Sequence, residues 1–326
     1  MGPVDAEDLG VPLNITPTTS TVSNRFLGKR RAANTVGKYE WLFLGIVSFT
    51  LFAVLAITLY RVLELPPTVS EFTLGILVLF NIVFCYVYAY HGVLFEQPNE
   101  IGFLVLSTVI ILIYSVLGYH AGEIQDSVKT GKLVYMCFIG PIIVILGCQI
   151  GYDYGISGNL VFKIVGADPF MQKICRRAQL QIVLLFFDAQ AIASCIILVI
   201  HAVGISLVQE VLVFCLGCIF IVVWLMIGYF AVLCESLLCM AAFLTLCTVQ
   251  PSYVVWRLVV ANSYQPDFLD LSIVNASGVF FLLIHSYLIV NSIRVYQNFG
   301  KGLKEKIFGD QRQTSQYGAV QRFSET

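Results

Sequence analysis

Asp188 is the residue whose surroundings demand a chemical explanation. From Ile182 to Gly204 the chain is an apolar run in which Asp188 is the only acidic or basic side chain apart from His201. If that run crosses a bilayer, Asp188 sits about 9 Å past Ile182 at the helical rise. A central aspartate costs about 2.5–3.5 kcal/mol on insertion scales. It is therefore expected to face a protein interior and to find a partner there. Two roles fit. As a functional group Asp188 would hold an ion, a proton or the cationic part of a substrate. As a structural group it would be protonated, or hydrogen-bonded to Asn81, Asn275, Asn291 or a tyrosine.

Other intramembrane polar candidates are His201, His285 and Asn81, the histidines being titratable near neutrality. His201 lies 13 residues beyond Asp188, about 220° around a helix, so no relay runs directly along that helix. Arg177, Gln181 and Asp188, at i, i+4 and i+11, share one face. The small residues Ala189, Ala191, Ala193 and Ser194 follow and permit close helix approach. The segment is expected to be the central helix.

Just upstream, Gly166-Ala167-Asp168-Pro169 reads as a helix start, with Asp168 as N-cap and Pro169 in the first turn. Lys173, Arg176 and Arg177 then give this helix a basic face at headgroup depth, suited to anionic lipids of the cytosolic leaflet. Gly147-Cys148-Gln149-Ile150-Gly151 supplies a GxxxG, expected to pack helices, with homo-oligomerisation as the alternative. Tyr86, Tyr88, Tyr90 and His91 read as an interfacial aromatic belt. Cys175, Cys234 and Cys239 are acylation candidates near the cytosolic face. Cys215 and Cys218 form a CxxC inside an apolar helix without further ligands nearby, so no metal and no cofactor is expected. There is no HExxH, no GxxxxGK[ST] and no GxSxG. Tyr152-Asp153 lacks the glycine-flanked second aspartate of an intramembrane protease, and the receptor-type Asn-Pro-x-x-Tyr is missing. The chain is not expected to be an enzyme, and nothing in it points to nucleic acid.

The elements that must position these residues follow from composition. Of 326 residues, 58% are hydrophobic and 12% charged, against about 45–50% and about 25% in soluble domains. A soluble globule cannot hide that much apolar surface, and disorder needs the opposite balance. Eight runs are long enough to span a bilayer: 41–60, 72–95, 101–119, 133–151, 182–204, 211–233, 237–256 and 271–292. The run 211–256 is too long for one crossing and folds back at Cys234-Glu235-Ser236, with a kink expected at Pro251. With the N-terminus inside, 15 of the 19 basic residues lie on the cytosolic side, leaving Arg61, Lys129, Lys132 and Arg257 outside. Residues 1–40 and 309–326 are polar tails expected to be disordered and cytosolic, flanking a membrane domain over 41–308. The start of the chain does not read as a signal peptide. The sequons at Asn14 and Asn275 are expected to go unused, and Tyr317-Gly318-Ala319-Val320 fits a sorting pattern.

Gly166-Ala167-Asp168-Pro169 through Arg176-Arg177 to Asp188, with Asn298-Phe299-Gly300-Lys301-Gly302-Leu303, resembles a family of uncharacterised polytopic membrane proteins of fungi and invertebrates. The resemblance implies a shared helical membrane fold over roughly 41–309 and no known activity. The reading is an all-α transmembrane bundle of about eight spans with both termini cytosolic. Its expected role is transporter-like or channel-like, with a polar interior around Asp188. The alternative is a membrane-organising or receptor-like protein that binds lipids or cytosolic partners. The sequence does not separate plasma membrane from endomembrane.

Overall fold

A computed structural model describes residues 36–66, 70–121, 127–158, 161–162, 165–202, 207–264 and 268–302. The expected tails, the Asn14 sequon and the Tyr317 pattern lie outside the described residues. Among them the chain is helical, without strands: α1 Lys38–Glu64, α2 Ser70–Leu94, α3 Pro98–Ala121, α4 Ser127–Ser157, α5 Pro169–Ala202, α6 Leu207–Cys234, α7 Leu237–Leu246, α8 Val249–Tyr264 and α9 Phe268–Tyr296. Seven segments are long and apolar enough to cross a membrane, α7 and α8 together forming one of them, Leu237–Ser263. The 24 residues of α3, apolar over Pro98–Ile113, add an eighth helix of about 36 Å.

Side-chain contacts fix which ends lie together. Tyr154 Oη donates to Glu40 Oε1 at 2.6 Å, joining the end of α4 to the start of α1. Arg176 Nη2 of α5 lies 3.0 Å from where a Cβ on Gly158, just after α4, would stand. Gly300 N donates to Glu235 Oε2 at 2.9 Å, and Lys301 Nζ sits 5.6 Å from the ring centre of Phe170. The start of α1, the α4–α5 connection, the α6–α7 turn and the end of α9 therefore share one end of the bundle. At the opposite end Lys132 Nζ donates to Thr58 Oγ1 at 3.3 Å. The two ends of the described chain thus lie together.

α5 begins as its sequence dictates. Asp168 Oδ1 accepts from Phe170 N at 3.0 Å and Met171 N at 3.4 Å, which caps the first turn. The helix then runs for 34 residues without a break. It is the central helix: 83% of its apolar stretch is buried, against at most 39% for any other crossing. One core cluster gathers Leu184, Leu185 and Ile192 of α5 with Trp224, Phe243, Phe281 and Leu288 of α6, α7 and α9. A second joins Phe43, Ala89, Ile101, Leu104 and Ile143 of α1–α4, with Phe187 reaching into it from α5.

Three local expectations need correction. The break in the seventh crossing falls at Cys247-Thr248, one turn before Pro251, because a proline cannot donate to the carbonyl four residues back. Arg257 is not in an outer loop but inside α8 and 2% exposed, its guanidinium 5.9 Å and 5.6 Å from the ring centres of Tyr253 and Trp256. The helix continues past it to Tyr264, and the two rings shelter the cation. The aromatic belt is only partly a belt: Tyr86 is exposed and stacked on Tyr90 at 4.5 Å, but Tyr88 is buried and His91 turns toward α3.

The GxxxG packs helices, as expected. Gly147 meets Val105, and Gly151 meets Ile101, both on α3. Gly228 does the same for α6. A Cβ there would stand 2.7 Å from the Phe243 ring and 2.8 Å from Leu185, whereas a Cβ on Gly45 would meet nothing within 4 Å. Gly228→Ala should lower stability by about 1–3 kcal/mol through overpacking, while Gly45→Ala should be neutral or gain up to about 1 kcal/mol of helix propensity. Thermal unfolding of the two purified variants in detergent checks this, and equal midpoints would refute the packing argument.

Candidate functional site

α5 and α9 meet along an antiparallel polar seam. On α5 the contributing residues are Gln181, Asp188 and Cys195, spaced by seven; on α9 they are Asn291-Ser292, His285 and Ser277. Seven residues are nearly two helical turns, so each set lies along one stripe. In the first rung Gln181 Nε2 donates to Ser292 Oγ at 2.6 Å and Asn291 Nδ2 donates to Gln181 Oε1 at 2.8 Å. In the third, Cys195 Sγ lies 3.5 Å from the carbonyl of Ser277.

The middle rung brings two of the expected candidates together. His285 Nδ1 lies 2.9 Å from Asp188 Oδ2, with Asp188 0% and His285 1% exposed. His285 Nε2 lies 2.8 Å from the carbonyl of Cys247. A carbonyl only accepts, so Nε2 carries a hydrogen and donates it. That carbonyl is open because the residue four positions on is Pro251, which has no N–H. One proton must then lie between Nδ1 and Oδ2, since two lone pairs would repel at 2.9 Å. Whichever atom holds it, the pair is neutral as a whole. Phe281 packs on the imidazole at 5.2 Å and Trp224 at 6.3 Å between ring centres.

Asn81 belongs to a different environment. Gln190 Nε2 donates to Asn81 Oδ1 at 2.5 Å, and Asn81 Nδ2 donates to Leu77 O at 2.8 Å and Ser194 Oγ at 3.3 Å. These three polar side chains form the floor of a cavity of about 170 Å³ whose rim at the Thr58 end includes Arg61 and Lys132. Gln190 Oε1 is buried with no donor among the described residues. Phe187 and Phe280 line the same cavity, but Asp188 does not. Phe187 stacks against Phe103 at 4.4 Å and meets Phe280 edge-on at 6.1 Å. Beyond that aromatic layer, toward the α4–α5 end, a cleft of about 590 Å³ is lined by Glu96, Tyr154, Lys173, Arg176, Arg177 and Leu180 among others. From Leu180 on the cleft to Phe187 on the cavity is about 10 Å along α5.

The remaining candidates separate from these. His201 is helical, but its side chain lies outside the described ones. Lys173 and Arg176 are exposed and Arg177 is half-buried, all on the cleft. Of the acylation candidates, Cys175 is buried, whereas Cys234 is exposed. One pairing escaped the sequence reading: His91 Nδ1 lies 2.6 Å from Glu100 Oε2, with Glu100 buried across the α2–α3 turn. The turn-forming Pro98 between them was the available signal. Among the described residues no cluster of three metal-ligating side chains occurs.

A family model described as a domain of unknown function, DUF7789, matches residues 27–151 and 165–295. The chain belongs to this family. Its two matched stretches hold α1–α4 and α5–α9 almost whole, and they part at the α4–α5 connection. No curated protein and no solved structure matches the chain.

Because the middle rung is fully buried, removing one partner strands the other. Asp188→Leu and His285→Leu should each cost about 3–5 kcal/mol. The double variant should recover part of the sum, a coupling of about 1–3 kcal/mol in a thermal-unfolding cycle. Additive losses would show that the pair contributes nothing as a pair.

Proposed function

We propose that this multi-pass membrane protein moves a small polar or amphiphilic solute across the bilayer, in the manner of a transporter. The observation that carries the reading is the pair of recesses on either side of the Phe103–Phe187–Phe280 layer, one lined toward one end by Arg61 and Lys132 and the other toward the opposite end by Lys173, Arg176 and Arg177. The cavity has apolar walls and a few convergent polar groups, the composition of a small-molecule site. Its floor of amide and hydroxyl groups from Asn81, Gln190 and Ser194 suits a neutral hydrogen-bonding group, with Gln190 Oε1 free to accept. Recesses of this kind, alternately open, are how carriers expose one site to both sides.

In this reading Asp188 supports the site and does not line it. The sealed Asp188–His285 rung favours the second reading, a receptor-like protein that binds a ligand from one side without passing it on. Lys38, Lys173, Arg176, Arg177, Arg294 and Lys301 lie at the shared end, and this excess of cations supports a cytosolic placement of both termini.

Access separates the two readings without knowledge of the solute. In a background with all ten native cysteines replaced by alanine or serine, Ser194→Cys should react with a membrane-impermeant maleimide added to either side of sealed, oriented vesicles. Reaction from the Arg61 side alone would leave a receptor, and no reaction from either side would remove the cavity from both accounts. Tags fused to the two termini should both be shielded from external protease in intact cells or organelles; digestion of either one overturns the orientation.

A further inference from the structure

We infer that the cleft between the start of α3, the end of α4 and the first turns of α5 is a binding site for a phosphate-bearing anion. Its geometry is independent of whether the protein transports. Lys173, Arg176 and Arg177 occupy i, i+3 and i+4 on one stripe of α5 and all line the cleft. None of the three makes an ion pair among the described residues. Gln179 also lines it and is only 4% exposed, yet its Nε2 has no acceptor among the described residues. A buried amide donor without an acceptor is costly unless something supplies one.

The chemistry of the missing partner follows from the donors. Two guanidinium groups, an ammonium and an amide line the cleft from one helix, and guanidinium forks match phosphate oxygens two at a time. Glu96 is the one carboxylate on the described walls, and it is 8% exposed. Three cations against one carboxylate leave a local excess of two positive charges, which a phosphomonoester of about −1.5 to −2 balances. A volume of about 590 Å³ is far larger than a chloride or a lone carboxylate needs, and it accommodates a phosphorylated polyol. Gly158 has φ +54°, and Arg176 Nη2 lies 3.0 Å from the position a Cβ would occupy there. Glycine at that turn thus admits the guanidinium to the cleft wall. The same chemistry is presented by a phosphoinositide headgroup reached from the bilayer and by a soluble inositol phosphate.

The test uses the full-length protein in phosphatidylcholine nanodiscs. Wild type should retain phosphatidylinositol bisphosphate about tenfold more tightly than phosphatidylserine at matched total charge, by native mass spectrometry. Arg176→Gln with Arg177→Gln should abolish that preference, and Gln179→Met should weaken it. Arg294→Gln, at the same end but off the cleft, should leave it intact. Competition by soluble inositol trisphosphate at comparable affinity would identify a free phosphate ligand; its failure to compete would identify the lipid headgroup. Either supports the site. Equal retention of phosphatidylserine by wild type, or an Arg294→Gln effect as large as that of the arginine pair, would reduce the cleft to bulk charge and overturn the proposal. The wild-type lipid preference decides the matter even where the double variant does not fold.

Discussion

Inside a hydrocarbon core, a backbone carbonyl without its helical donor must be satisfied by protein. Pro251 creates such a carbonyl at Cys247, and His285 meets it through Nε2. Much of the second half of the bundle hangs on that arrangement. It fixes the tautomer of His285, which in turn presents Nδ1 to Asp188. A missing N–H on α8, an imidazole on α9 and a carboxyl on α5 are thereby bound into one neutral chain spanning three crossings. The α7–α8 break is thus one end of the hydrogen-bonded path that holds Asp188 in place.

The seam also explains why α5 can serve two faces at once. Its Gln181–Asp188–Cys195 stripe is fastened to α9, while Phe187, Gln190 and Ser194 project toward α1–α4 and line the cavity. Water admitted to the cavity does not reach the Asp188–His285 pair, which is fully buried. On α6, Gly228 brings the backbone against Leu185 of α5 and Phe243 of α7, so α5 is packed closely on that side as well. The rungs are the polar groups that specify the register of α5 against α9.

Much of this was legible in the sequence, and the rest was hidden for identifiable reasons. Hydropathy pointed to an all-helical bundle of long apolar helices, and local residue types to the Glu235 turn and the Asp168 cap, because the cost of exposing backbone or charge to lipid leaves few alternatives. The central position of α5 followed from its lone aspartate and small residues. The partner of Asp188 did not follow, since His285 lies 97 positions away and no local rule connects them. A signal was nonetheless present: Gln181, Asp188 and Cys195 repeat at seven, as do His285 and Ser292. The cavity and cleft were invisible for a different reason. A recess is defined by where side chains from four or more helices fail to meet, and a single sequence shows which residues are apolar, not which neighbours leave a gap. Arg257 misled because a charge near the end of an apolar run normally marks the edge of the membrane, whereas here Tyr253 and Trp256 shelter it inside.

The distribution of firm and open contacts limits how this bundle could move. The seam ties α5 to α9, and the Cys247 carbonyl ties α9 to the α7–α8 break, so the second half is internally fastened by polar groups that have no water to replace them. Both recesses lie instead where that half meets α1–α4. Across this boundary the aromatic layer is Phe103 from α3 against Phe187 and Phe280, a packing contact that can slide without stranding a donor or acceptor. Gln190 and Ser194 do bond to Asn81 of α2 across it, but these groups face the cavity, where water or a solute could take over their hydrogen bonds. The division also coincides with the gap between the two stretches matched by the family model. Separation along that boundary leaves the buried Asp188–His285–Cys247 chain intact.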